Sequence, residues 1–219
     1  MSDPFADINQ EVALEKFKRF FFKYKKSIFI FSIILVVLTS FTLFLIDKKK
    51  KKDIRLAGYF IEIISIINSD EDKAIKELNK LVKLDHVGHQ ILSNLLLSKI
   101  YLNKQDYSGA LKYLKDIEIR DNKLETLNKL KNYFISVSYL GLSDKQNFQK
   151  SINLLLSYGD YWSLLGHELR GHFLFNEGNY KEASKDFTKI LNEELSTQNQ
   201  RQRSQEMLSN IKLVDEDIN

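Results

Sequence analysis

The chain has 219 residues, 43% hydrophobic and 28% charged, with one proline, eight glycines, no cysteine and a formal net charge of +4. Without cysteine, disulfides and thiolate metal sites are excluded. The positive excess sits in residues 1–55, with 12 Lys/Arg against 6 Asp/Glu. Residues 56–219 carry 21 against 23, which leaves no basic stripe for nucleic acid on that larger part.

Residues 1–26 read as an amphipathic basic segment. Ile8, Val12, Phe17, Phe20, Phe21 and Tyr24 offer interfacial apolar surface, and Lys16, Lys18, Arg19, Lys23, Lys25 and Lys26 can reach phosphates. Asp3, Asp7, Glu11 and Glu15 set it apart from a mitochondrial presequence, which is poor in acids.

Residues 27–46, SIFIFSIILVVLTSFTLFLI, hold no charge, proline or glycine, and 15 of the 20 are Ile, Leu, Val or Phe. A helix of that length rises roughly 30 Å, the thickness of a bilayer's hydrocarbon core. Insertion is worth on the order of −5 kcal/mol, and hydroxyl side chains can bond back to the helix. The run exceeds a signal-peptide core, and Asp47 and five lysines follow it in place of a cleavage site. A retained transmembrane helix is the expectation. Residues 47–54 then read as a basic juxtamembrane linker. Six Lys/Arg lie within fifteen residues on each side of the span, so charge leaves its orientation open.

From residue 55 to 219 apolar residues recur at i, i+3, i+4 spacing, and an all-α domain is expected. Caps and breakers predict helices near 55–67, 71–84, 89–103, 107–118, 123–140, 147–158, 163–177, 180–192 and 198–213. The stretch Leu95–Ile117 aligns with Glu168–Ile190, 73 residues further on. Ser98 and Gly171, Tyr101 and Leu174, Tyr107 and Tyr180, Ala110 and Ala183, and Leu114 and Phe187 correspond. This is tetratricopeptide spacing, in which small residues let paired helices approach and pairs stack into a superhelix. Phe148, Ser151 and Leu155 supply an intervening unit, and Ala74 and Leu78 an earlier one. The small-residue column then reads Ala74, Ala110, Ser151, Ala183, spaced 36, 41 and 32. About four helix pairs are predicted, closed by a C-terminal capping helix whose Met207, Leu208, Ile211 and Val214 shield the last repeat.

Motifs for catalysis are missing. His167 and His172 stand five apart, about 140° around a helix, too far to share a metal. His86 and His89 straddle a helix start. No phosphate-cradling loop or hydrolase elbow occurs, so no catalytic, cofactor-binding or metal-ligating residue is assigned. Trp162, the single tryptophan, reads as an anchor for repeat stacking, with an exposed binding aromatic as the alternative. The first helices near 89–103, 123–140 and 163–177 are expected to line a groove for a helix or extended segment.

Several stretches together resemble the proteobacterial ancillary subunit family of the SecYEG translocon. They are the opening MSDPFADINQEVALEKFKRFFFKY, the single span, Tyr161-Trp162 through Glu168-Leu169, Gly178-Asn179-Tyr180 with Ala183, and Arg201-x-Arg203-Ser204-x-Glu206-Met207-Leu208. The resemblance implies a bacterial inner-membrane protein with a cytoplasmic N-terminus and a periplasmic tetratricopeptide-like domain. Its implied partners are the translocon and periplasmic chaperones, with no catalysis, cofactor, nucleic acid or small-molecule substrate. A cell-envelope scaffold with no role in export is the alternative reading.

Overall fold

The computed structural model describes the backbone of residues 4–218 except 85 and 120. Its described side chains run from 34 to 214, with Arg19, Lys23, Tyr24, Phe29 and Phe31 before them. The chain divides into two compact units, Met1–Glu62 and Ile63–Asn219.

The first unit is one helix, α1 (Pro4–Ile66), whose final turn belongs to the second unit. No break separates residues 47–54 from what precedes or follows. The expected linker is helical, because lysine is a good helix former and no proline or glycine interrupts the chain between Pro4 and Gly58. From Ile34 to Ile46 every side chain is exposed, whichever way round the helix it points. Thr39 Oγ1 donates back to the Leu35 and Val36 carbonyls at 3.0 and 2.9 Å, and Thr42 Oγ1 to Thr39 at 2.8 Å. Among the described residues no helix is long and apolar enough to cross a membrane. The Ser27–Ile46 run falls partly outside them, at residues 27, 28, 30, 32 and 33.

The second unit is all helical among its described residues. It contains α2 (Glu71–Val82), α3 (Val87–Asn103), α4 (Tyr107–Lys115), α5 (Glu125–Gly141), α6 (Lys145–Leu156), α7 (Tyr161–Asn176), α8 (Tyr180–Asn192) and α9 (Gln198–Ile218). Each helix packs on the next, and α5 also touches α3 and α7, as in a stacked solenoid. The core follows that plan. Ile91 and Leu95 of α3 meet Leu111 and Leu114 of α4, with Leu127, Leu130 and Phe134 of α5 closing over them. Phe148, Ile152 and Leu155 of α6 are enclosed by α5 and α7, and Ala183, Phe187 and Ile190 of α8 by α7 and α9.

One turn occurs three times. Gln105, Ser143 and Gly178 adopt positive φ of 58°, 55° and 76°. The next residues, Asp106, Asp144 and Asn179, donate their backbone N–H five residues back, to Tyr101, Tyr139 and Leu174 at 2.9, 3.0 and 2.8 Å. That 6→1 bond satisfies a carbonyl at the end of the first helix. The same three side chains then accept from the N–H of Gly109, Asn147 and Glu182, capping the second helix. With Asp70 capping α2, the caps are 36, 38 and 35 residues apart.

This register corrects the middle unit. Four residues past each cap stand Ala74, Ala110, Phe148 and Ala183, so Phe148 takes the small-residue column and Ser151 lies outside it. Eight past each cap stand Leu78, Leu114, Ile152 and Phe187. In this unit a large side chain thus stands in the column that is alanine in the other three, while the second column stays large throughout. Phe148 is 1% exposed and its ring meets Phe173 of α7 at 4.9 Å, so the larger side chain is taken into the core between α6 and α7. Across the pair the small residues are Ser98, Ser136 and Gly171. A Cβ on Gly171 would come within 2.8 Å of the Phe187 ring.

The turns also touch from unit to unit. The first residues of α2, α4 and α6 reach the following turn: Glu71 pairs with Lys104 at 2.6 Å, Tyr107 lies against Gly141, and Lys145 pairs with Glu177.

Candidate binding groove

Side chains of α5, α7 and α9 line an open cavity of about 290 Å³. It is lined by Tyr133, Leu165, Glu168, Leu169, His172 and Arg203. α7 contributes four of the six because positions 165, 168, 169 and 172 form one helical face. Arg203 of α9 grips Glu168 with both ends of its fork, Nε to Oε1 at 2.6 Å and the second nitrogen to Oε2 at 3.1 Å. Glu168 is the better hidden partner, with its side chain 13% exposed against 50% for Arg203.

Burial and then the nearby Glu168 carboxylate raise the Tyr133 phenol above its ordinary value, so its hydroxyl remains a donor at neutral pH. Burial lowers His172, which is therefore a neutral ring there, and its edge meets Phe187 at 5.3 Å. Hydrogen bonding to Glu168 raises Arg203. Trp162 is half-buried with its ring 6.4 Å from Tyr133, which places it at the aromatic border of this surface. Leucines for apolar contact, a phenol, a neutral imidazole and a fixed carboxylate–guanidinium fork suit a polypeptide segment, whose backbone needs both donors and acceptors.

The first helices expected to share one groove divide between two cavities. α5 and α7 line the one just described, joined by α9, which spacing did not indicate. α3 contributes Val87, Gln90, Ile91 and Asn94 to a separate cavity of about 570 Å³, closed by Asp116 to Ile119, Asp121 and Leu124. The buried Asn94 Oδ1 has no partner among the described residues.

The four histidines fall into two places, at the start of α3 and along α7. His86 caps α3, its Nδ1 accepting from the His89 N–H at 3.3 Å, and the two rings stand 4.4 Å apart. His167 takes a different partner from His172 and meets Asp186 of α8, Nδ1 to Oδ1 at 2.7 Å. Arg170 holds the same carboxylate with Nε at 2.8 Å. Burial would raise Asp186, but bonds from Arg170 and His167 outweigh it, and the carboxyl lies below its usual range. This trio fastens α7 to α8. Its members were not singled out for this role, since no short spacing joins residues 167, 170 and 186. Among the described residues no group of three or more His, Asp and Glu could hold a metal ion.

The class defined by this geometry is an all-helical repeat protein with a groove on its first helices. Compared with known proteins, the chain matches no family model, no curated protein and no solved structure.

Proposed function

We propose that this chain is a single-pass, membrane-anchored protein-interaction module without catalysis. In this reading its repeat domain binds a helix or extended segment of another protein. The observation that carries the reading is the groove of Tyr133, Leu165, Leu169 and His172, edged by the Glu168–Arg203 fork. Leucine and aromatic surface supplies affinity, and the polar groups supply register. The uncharged run of 27–46, in which every side chain from 34 to 46 is exposed, supports the anchor, since water is a poor environment for that surface.

The resemblance in the opening segment, around Tyr161-Trp162 and in the terminal helix supports an ancillary role at the SecYEG translocon of a bacterial inner membrane. The N-terminus would be cytoplasmic and the domain periplasmic, bridging the translocon to periplasmic chaperones. The test is a photo-cross-linking residue at Tyr133 or Leu165 in the full chain, compared with one at exposed Leu154 on α6. Adducts to translocon subunits or a periplasmic chaperone from the groove positions alone are expected. Adducts from Leu154 with none from the groove would overturn the binding face. Protection of the domain from protease in intact spheroplasts would overturn the periplasmic placement.

A further inference from the structure

The five lysines after the apolar run do not splay as a flexible linker, because α1 continues through them. Their azimuths follow from the helix. At 100° per residue, Leu45, Lys48, Lys49, Lys52 and Arg55 fall within an arc of about 120°. These same residues line one shallow surface pocket of about 300 Å³. Both nearby carboxylates lie off the arc. Asp47 is taken by Lys51 at 2.8 Å, and Asp53 sits about 80° round from Leu45. Lys48, Lys49, Lys52 and Arg55 make no ion pair among the described residues. The helix therefore carries four cations on one face, directly after an exposed apolar stretch.

We propose that this stripe is a binding site for anionic phospholipid headgroups. The inference rests on the membrane reading of residues 27–46. On an upright helix Lys48 lies about 3 Å beyond Ile46, Lys52 about 9 Å and Arg55 about 14 Å. The polar layer on each face of a bilayer is roughly 5–8 Å deep. Lys48 and Lys49 stand within it, and Lys52 and Arg55 reach back into it along their methylene stems. Leu45 below them lies against the first acyl carbons. Each cation near an anionic surface contributes about 1 kcal/mol, a factor of roughly five in association.

The test uses the full chain in phosphatidylcholine bilayers containing a spin-labelled probe, phosphatidylglycerol in one sample and phosphatidylcholine in the other. The motionally restricted fraction reports the lipids touching the protein. Enrichment of the anionic probe by about fivefold or more, weakening as salt is raised, is expected. The combined K48Q, K49Q, K52Q and R55Q chain should lose it, with helicity checked by circular dichroism. K50Q with K51Q, off the stripe, should keep it. Equal restriction of both probes by the unaltered chain would overturn the site while leaving the anchor intact. Displacement of the anionic probe by millimolar inorganic phosphate would reassign the stripe to free anions and overturn the lipid reading. Recovery of the chain outside both bilayers would overturn the anchor and the site together.

Discussion

Asp186 is 2% exposed, yet it is an anion held by an arginine and a histidine from the neighbouring helix. Removing its charge leaves Arg170 facing a neutral amide and disturbs the His167 bond. Asp186→Asn is expected to cost on the order of 3 kcal/mol, read as a shift in urea midpoint. The same group sets a pH dependence. Its pKa is lower folded than unfolded, so its stabilisation is complete above the ordinary aspartate value of about 4. It is lost as pH falls through the lower folded value. Melting temperature followed from pH 6 downward should fall below pH 4 in the native chain. Asp186→Asn should lack this group's share of that fall, and an equal decline in both chains would contradict the assignment.

Among the helices, the three equivalent turns offer a comparison within one molecule. Gln105 and Ser143 occupy a left-handed conformation that costs a side-chain-bearing residue about 1 kcal/mol, whereas Gly178 meets the same need without strain. Gln105→Gly and Ser143→Gly should each stabilise by about 0.5–1 kcal/mol, and Gly178→Ala should destabilise by a similar amount. Opposite signs in thermal denaturation check this, and a uniform loss would refute the equivalence of the turns. The middle pair supplies a sharper test of register. Phe148 is 1% exposed in a column otherwise filled by alanine, while Ser151 is only half-buried. Phe148→Ala should therefore cost about 3–5 kcal/mol by opening a cavity toward Phe173. Ser151→Ala should cost little, since its hydroxyl bonds only to the Phe148 carbonyl within its own helix at 2.9 Å.

For the whole domain, the solenoid ends are where apolar faces run out of neighbours, and α9 closes one of them. Ile211, 5% exposed, packs with Met207 and Leu208 on the α8 core of Ala183, Phe187 and Ile190. Arg203 from the same helix completes the groove. A chain ending at residue 197 should lose both, appearing as a lower melting temperature, binding of a hydrophobic dye and aggregation. Ile211→Ala, which keeps α9 and Arg203, should cost about 2–4 kcal/mol and leave groove cross-linking intact in the folded population. Loss of cross-linking there would show that the groove depends on more than the presence of α9.

Much of this architecture is written in local patterns. Apolar periodicity places the helices from α2 to α8 to within a few residues, because amphipathic spacing and capping side chains act over one or two turns, whereas the helix expected near 55–67 is the end of α1. The charge count separates a basic N-terminal part from a slightly acidic domain. Aligning residues 95–117 with 168–190 recovers two true repeats, because Ala110 and Ala183 obey the same packing constraint. The middle unit misleads by three residues, since Phe148 stands where the other units carry alanine and the small residue marking the column is absent. Its left-handed turn is equally hidden, for Ser143 bears no glycine signature. Helicity through the five lysines also escapes a reading in which a charge run means a linker. Packing alone joins Tyr133, Glu168 and Arg203 into one groove and His167, Arg170 and Asp186 into one buried cluster. These residues lie up to 70 positions apart on helices that meet only after stacking, and no local pattern encodes where a distant helix comes to rest.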